Sequence, residues 1–198
     1  MTGGVASGKS LVMQMLFCKG AVCFSADQAS RVVVGRGSPA LSALKANFGE
    51  EILLQDGSLN RSRLAGLIFD SVEVKESVNR ILHPPILRLL RAQMEGALDD
   101  LPHRSIVAVE VPLLFETGMQ SWFDSTLIVS TKEKNQIARL RTRNGLSEDE
   151  ARKRIESQWP LSKKVLMANI VISNDESITI LKERIDHIWP LLSSGMYV

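Results

Sequence analysis

Three observations predict an α/β fold, with a parallel sheet covered by helices on both faces. A phosphate-cradling motif opens the chain. Short apolar runs rich in β-branched residues recur at 21–24, 105–111, 125–130 and 170–173. Between them lie stretches of helical length with recognisable caps. Such alternation is the signature of parallel strands joined by helical crossovers. A chain of 198 residues is long enough for one such core with an inserted lobe.

The motif is Gly3-Gly4-Val5-Ala6-Ser7-Gly8-Lys9-Ser10, which fits G-x-x-x-x-G-K-[ST]. Its glycines let the backbone wrap a polyphosphate, and the following helix adds its positive end. Gly4, Ala6, Ser7, Gly8, Lys9 and Ser10 are therefore the expected nucleotide contacts. Lys9 would bridge the β- and γ-phosphates, and the Ser10 hydroxyl would hold Mg²⁺, a cation that prefers oxygen ligands. The motif normally follows the middle strand of the sheet. Only Met1 and Thr2 precede it here, so the first strand is expected to be truncated.

A helix is expected over 9–19, ended by Gly20. After strand 21–24 comes Asp27, just past a strand's carboxyl end, where the chemistry of open parallel sheets collects. It is either a group acting at the transferring phosphate or the N-cap of the helix that follows. Residues 31–104 read as a helical insertion suited to gripping a substrate, with the nucleotide-binding core formed by 1–30 and 105–198. Within the insertion, Ser38-Pro39 starts a helix that ends near Gly49, Asp56-Gly57 marks a turn, and Asn60 caps a helix reaching Phe69. A helix over 72–82 should be broken by His83-Pro84-Pro85, with another following over 86–98. His83 by itself reads as a structural histidine.

Strand 105–111 carries Glu110 near its exit, as a magnesium-shell carboxylate or as the partner of a neighbouring cation. Strand 125–130 leads into a helix over 132–144, capped by Thr131 and closed by Gly145. Arg139 and Arg143 share one face of it and Arg141 points elsewhere. Ser147 and Glu150 form a capping box for the next helix. From Arg139 to Lys164 there are eight basic residues against four acids. A basic helical hairpin at about 138–165, after a phosphate loop, reads as a lid bringing guanidinium groups onto phosphoryl charge. Asn174 follows the last strand, where its amide could read an adenine edge or make a turn. A helix over 177–192 closes the chain.

Bulk properties exclude several classes. A net charge of +2 is too mild to argue for nucleic acid. No run reaches the ~18 apolar residues of a membrane span, and no signal peptide is visible. Cys18 and Cys23 read as thiols, which fits a reducing cytoplasm. A monomer or weak homo-oligomer is expected.

Taken together, these segments resemble the dephospho-coenzyme A kinase family along essentially the whole chain. Residues 2–10 resemble its T-G-G-x-x-S-G-K-S loop. Asp27 matches the second acid of its D-A-D signature, with Ser25 in place of the first. Asp56-Gly57 and Leu82-His83-Pro84 resemble landmarks of its substrate lobe, and residues 110–116 resemble its acid-x-P-L-L-x-E segment. Arg139-Leu140, Arg143 and Arg154-Ile155 to Gln158 resemble its lid pattern, and Asn174 falls on its asparagine after the last strand. Two further departures are Leu11, where threonine is frequent beside the α-phosphate, and Asn169, where the family has aspartate. The resemblance implies transfer of the γ-phosphoryl group of ATP, with Mg²⁺, to the ribose 3′-hydroxyl of dephospho-coenzyme A. It implies Asp27, Lys9, Arg139 and Arg143 as catalytic groups, Leu11 and Asn174 beside the nucleotide, and His83, Pro112, Leu113 and Glu116 beside the substrate. The alternatives are a phosphoryl transfer to another small acceptor, such as a nucleoside monophosphate, or a nucleotide-binding module without catalysis.

Overall fold

The computed structural model describes residues 1–100 and 105–194. It divides into two compact units, one formed by 1–23 with 100–198 and the other by 24–99.

The first unit holds the sheet. Its strands are β1 (Thr2–Gly3), the start of β2 (Val22–Ser25), β3 (Val107–Glu110), β4 (Leu127–Ser130) and β5 (Ile170–Ser173). β1, β4 and β5 pair in parallel, with Thr2 opposite Ile128 and Ile128 opposite Val171. β2 pairs with β3, and the Val22 N–H donates to the Ile106 carbonyl. Met1 links the two sets: its nitrogen donates to the Val109 carbonyl at 2.6 Å, and its own carbonyl accepts from Val111 N–H at 2.9 Å. The expected first strand is thus short but present. Two residues and Met1 lie between β3 and β4 and bring the chain to the phosphate loop at the sheet's carboxyl edge.

Helices α1 (Lys9–Cys18), α6 (Glu133–Asn144), α7 (Glu148–Glu156), α8 (Leu161–Val165) and α9 (Ile178–Ser194) complete this unit. Val12, Met13 and Leu16 of α1 join Val129, Ile172, Leu181 and Ile185 in its core. Gly20 at φ 100° closes α1, while Ala21 N–H returns to the Leu16 carbonyl. The capping box of α7 is formed by Ser147 and Glu150, and Gly145 at φ 67° ends α6. Thr131 does not cap α6 as expected, because the N-cap position is Lys132. The Thr131 hydroxyl instead donates to the carbonyl of Asn174 and to Asp175 Oδ1.

The second unit is helical: α2 (Ala26–Val33), α3 (Pro39–Phe48), α4 (Arg61–Asp70) and α5 (Val72–Asp100). Ser38 Oγ and Asn60 Oδ1 accept from the N–H groups of Leu41 and Arg63, so both expected caps form. Leu44, Ile52, Leu59, Leu64 and Val78 make its core. Asp56 Oδ1 accepts from Ser58 N–H, and Leu53 bridges Leu59 across the turn. The expected break at His83-Pro84-Pro85 does not occur, since α5 runs through both prolines. Proline's fixed φ is helical, so the penalty is confined to absent N–H donors and local crowding. Val78 before the prolines and Leu90 after them are both buried.

Asn169 also gains a structural account. Its Oδ1 accepts from both the N–H (2.9 Å) and the hydroxyl (2.8 Å) of buried Thr126, and its own N–H donates back at 3.1 Å. The position needs an acceptor, which aspartate also supplies. Asn169→Asp should leave thermal stability nearly unchanged, whereas Asn169→Ala should lose about 1–3 kcal/mol by stranding Thr126, as read by denaturant melts.

Candidate functional site

The loop between β1 and α1 owes its shape to left-handed backbone. Gly8 has φ 99°, and Ala6 at φ 55° is the one non-glycine with positive φ among the described residues. An alanine in that region costs about 1 kcal/mol or more. Around it, the loop's outward carbonyls are all taken up. Lys9 Nζ donates to the carbonyls of Gly3 (3.2 Å) and Gly4 (2.9 Å). Arg139 Nη1 donates to those of Ala6 and Ser7, both at 3.2 Å, and its Nη2 to that of Asn174 at 2.9 Å. Buried Asn174 gives its Nδ2 to the Ser7 carbonyl at 2.7 Å. A Cβ on Gly8 would stand 2.1 Å from that nitrogen, so Gly8 is required by space as well as by φ.

Beside the loop is a cavity of about 490 Å³, lined by Ala6, Gly8, Lys9, Ser10, Ala138, Arg139, Thr142 and Arg143. Six of the expected site residues therefore meet in one concavity. Ser10 is exposed at the start of α1, and Arg143 is exposed on α6 one turn beyond Arg139. Gly4 and Ser7 are buried behind the loop, while Leu11 packs against the sheet core. The Asn174 side-chain nitrogen faces the loop carbonyl, which accounts for its position without an adenine. Glu110 ends β3 in the same unit.

Pro112, Leu113 and Glu116 follow β3. The Pro112 carbonyl accepts from the Thr2 hydroxyl (3.2 Å) and from Lys164 Nζ (3.4 Å), and Leu113 is exposed. Glu116 forms an ion pair with Lys164, which is completely buried. Glu116 Oε1 also accepts from Trp159 N–H, and Oε2 is buried without a hydrogen-bond partner. The segment after β3 is thereby pinned to α8 at the root of the basic hairpin.

Asp27 and His83 belong to the second unit. Asp27 is exposed in the first turn of α2, where Ser25 occupies the N-cap position, so the capping role is excluded for it. Burial lowers the pKa of half-buried His83, which favours the neutral imidazole at pH 7.

Sequence reasoning passed over Gln136, although it lies on the same face of α6 as Arg139 and Arg143. That shared face was the available signal. It also passed over Asp175, which ties β5 to α6. Asp175 Oδ1 accepts from Lys132 N–H (2.7 Å), the Thr131 hydroxyl (3.0 Å) and Asn135 Nδ2 (3.1 Å).

Two outcomes follow from these contacts. Lys164→Met should destabilise by about 3 kcal/mol or more, and Glu116→Leu/Lys164→Met should recover most of that loss, because the single change leaves a buried charge unpaired. Burial alone would raise the Asp175 carboxyl, but the bonds from Lys132, Thr131 and Ser173 outweigh it and hold the pKa below the usual range. Its stabilisation is present above about pH 4 and lost as pH falls through the lower folded value. Melting curves of Asp175→Asn should therefore lose that acid limb.

Comparison with known proteins supplies the family. Residues 1–179 match the dephospho-CoA kinase family model. A dephospho-CoA kinase of Syntrophotalea carbinolica is 37% identical over 196 residues, covering 99% of this chain and 92% of its own. One of Geobacillus kaustophilus is 39% identical over 175 residues, covering 88% and 86%. Among solved structures, TT1252 from Thermus thermophilus superposes with a TM-score of 0.82 at 28% identity, over 96% of this chain and 95% of that one. Dephospho-CoA kinase from Campylobacter jejuni shares the fold, with a TM-score of 0.72 at 24% identity over 98% and 96%. The phosphate loop, the parallel sheet with helices on its faces and a match spanning most of the sequence agree: the chain belongs to the dephospho-CoA kinase family.

Proposed function

We propose that this chain uses ATP to phosphorylate the ribose 3′-hydroxyl of dephospho-coenzyme A, releasing coenzyme A and ADP, with the loop at 3–10 holding the polyphosphate. The observation that carries the reading is the cavity in which loop backbone, Lys9, Ser10, Arg139 and Arg143 converge. Three cationic side chains around a wrapped backbone suit a group whose charge spreads over its oxygens during transfer.

Lys9 would keep the carbonyls of Gly3 and Gly4 and turn its third N–H to phosphate oxygens. Arg139, braced by three carbonyls, would offer a fixed positive charge, and exposed Arg143 would supply a second. Asp27 would accept or orient the proton of the acceptor hydroxyl, which is a poor nucleophile until that proton has a destination. The second unit would hold the acceptor, with His83 in its neutral form. Pro112, Leu113 and Glu116 would line the acceptor's path, Glu116 through its hold on the hairpin root. The hairpin would exclude water, which would otherwise compete as the acceptor.

Mg²⁺ fits the donors present. No cluster of three or more His, Cys, Asp or Glu side chains that could hold a metal occurs among the described residues. A cation that takes one or two protein oxygens plus phosphates and waters needs none. Ser10 would hold it, with Glu110 ordering its waters. When bound, it neutralises charge on the β- and γ-phosphates. A cytoplasmic setting is proposed; Cys18 and Cys23 are free thiols, and no described helix is long and apolar enough to cross a membrane.

An ADP-release assay with dephospho-coenzyme A as the varied acceptor tests the assignment. ADP should form only with acceptor present, and nucleoside monophosphates should not replace it. Lys9→Ala should abolish turnover, and Asp27→Asn should lower kcat about 10²-fold or more with little change in ATP affinity. Full activity in Asp27→Asn would remove that carboxylate from the reaction.

A further inference from the structure

Two glutamines outside the proposed reaction end on one residue of the loop. Gln136 of α6, 3% exposed, donates its Nε2 to the Val5 carbonyl at 2.6 Å. Gln158, just past α7, accepts the Val5 N–H on its Oε1 at 3.0 Å. One backbone residue is thus gripped at both polar groups by side-chain amides of the hairpin. Gly4 makes room for this: a Cβ there would stand 2.6 Å from Gln136 Nε2. Val5 and Ala6 also pack against the hairpin core of Ile137, Leu140 and Ala151.

The peptide unit is planar and trans, so its C=O and N–H point opposite ways. Holding the Val5 carbonyl therefore aims the Ala6 N–H away from the hairpin core. Holding the Val5 N–H aims the Gly4 carbonyl at Lys9 Nζ, which meets it at 2.9 Å. Ala6 and Lys9 both line the cavity. We propose that Gln136 and Gln158 are positioning residues for phosphoryl transfer. Their two-sided grip on Val5 orients the Ala6 N–H and Lys9 toward the nucleotide's terminal phosphates and makes hairpin docking part of polyphosphate recognition. The inference rests on the reading of the loop given above.

The test is steady-state kinetics and ADP calorimetry on Gln136→Leu, Gln158→Leu, Gln136→Glu and Gln158→Glu, with melting curves for each. Loss of either leucine-replaced contact should raise KM for ATP and Kd for ADP about tenfold, with KM for dephospho-coenzyme A unmoved. A carboxylate cannot donate to the Val5 carbonyl, so Gln136→Glu should fail like Gln136→Leu. It can accept from the Val5 N–H, so Gln158→Glu should recover most of the loss seen in Gln158→Leu. A merely structural role would lower the active fraction, and hence apparent kcat, without moving KM for ATP, and would overturn the proposal. Unchanged ADP affinity in both leucine variants would do the same. Should Gln136→Leu not fold, the pair at 158 decides alone, at a half-buried turn position. Failure of the unaltered protein to bind ADP would overturn the loop reading instead.

Discussion

A loop that turns its N–H groups inward to hold an anion must turn carbonyls outward, and those carbonyls need donors. That constraint organises the first unit. Lys9 meets the carbonyls of Gly3 and Gly4, Gln136 that of Val5, Arg139 those of Ala6 and Ser7, and Asn174 that of Ser7 again. The donors come from α1, from α6 and from the end of β5. Each element is placed by its own packing: α1 and β5 by the central core, α6 by its hairpin with α7. Unsatisfied, each buried carbonyl would cost about 1–3 kcal/mol, and the strained Ala6 conformation would have nothing to hold it.

The same constraint explains the hydrogen bonding under the loop. β1 contributes only Thr2 and Gly3 to the ladder with β4. Met1 extends that footing by joining Val109 and Val111 of the neighbouring segment, and the Thr2 hydroxyl adds a bond to Pro112. The carbonyl of Pro112 in turn meets the buried Lys164–Glu116 pair. A line of polar contacts thus runs from the start of the loop, through the segment after β3, to the root of the hairpin whose glutamines return to Val5.

Much of this architecture was legible in the sequence, for identifiable reasons. Caps at Ser38, Asn60 and Ser147 announce themselves because a short polar side chain must meet the free N–H groups of a first turn. Strands made of β-branched residues, and the phosphate loop itself, are local patterns. What could not be read depends on distant partners. Pro84-Pro85 looked like a break because the packing of Val78 and Leu90 on either side is tertiary. Thr131 looked like a cap because Asn174 and Asp175, with which it bonds, lie more than forty residues on. Gln136 was silent because a buried amide has no sequence mark of its own; only its place on the arginine face hinted at it.

The two arginines of that face, one turn apart, are not equivalent. Arg139 is tied to three carbonyls, so its charge is held beside the loop. A guanidinium is planar with five donors, so three bonds to carbonyls leave two on a residue that lines the cavity. Arg143 is exposed and, among the described residues, bonds to its neighbour Asn144. A fixed cation lowers the electrostatic cost of holding a polyphosphate at every stage, substrate and product alike. Only a cation that arrives or tightens during transfer favours the transition state over the ground state. On that argument the proposed roles divide: Arg139 would serve chiefly binding, and the rate advantage at the transferring group would fall to Arg143.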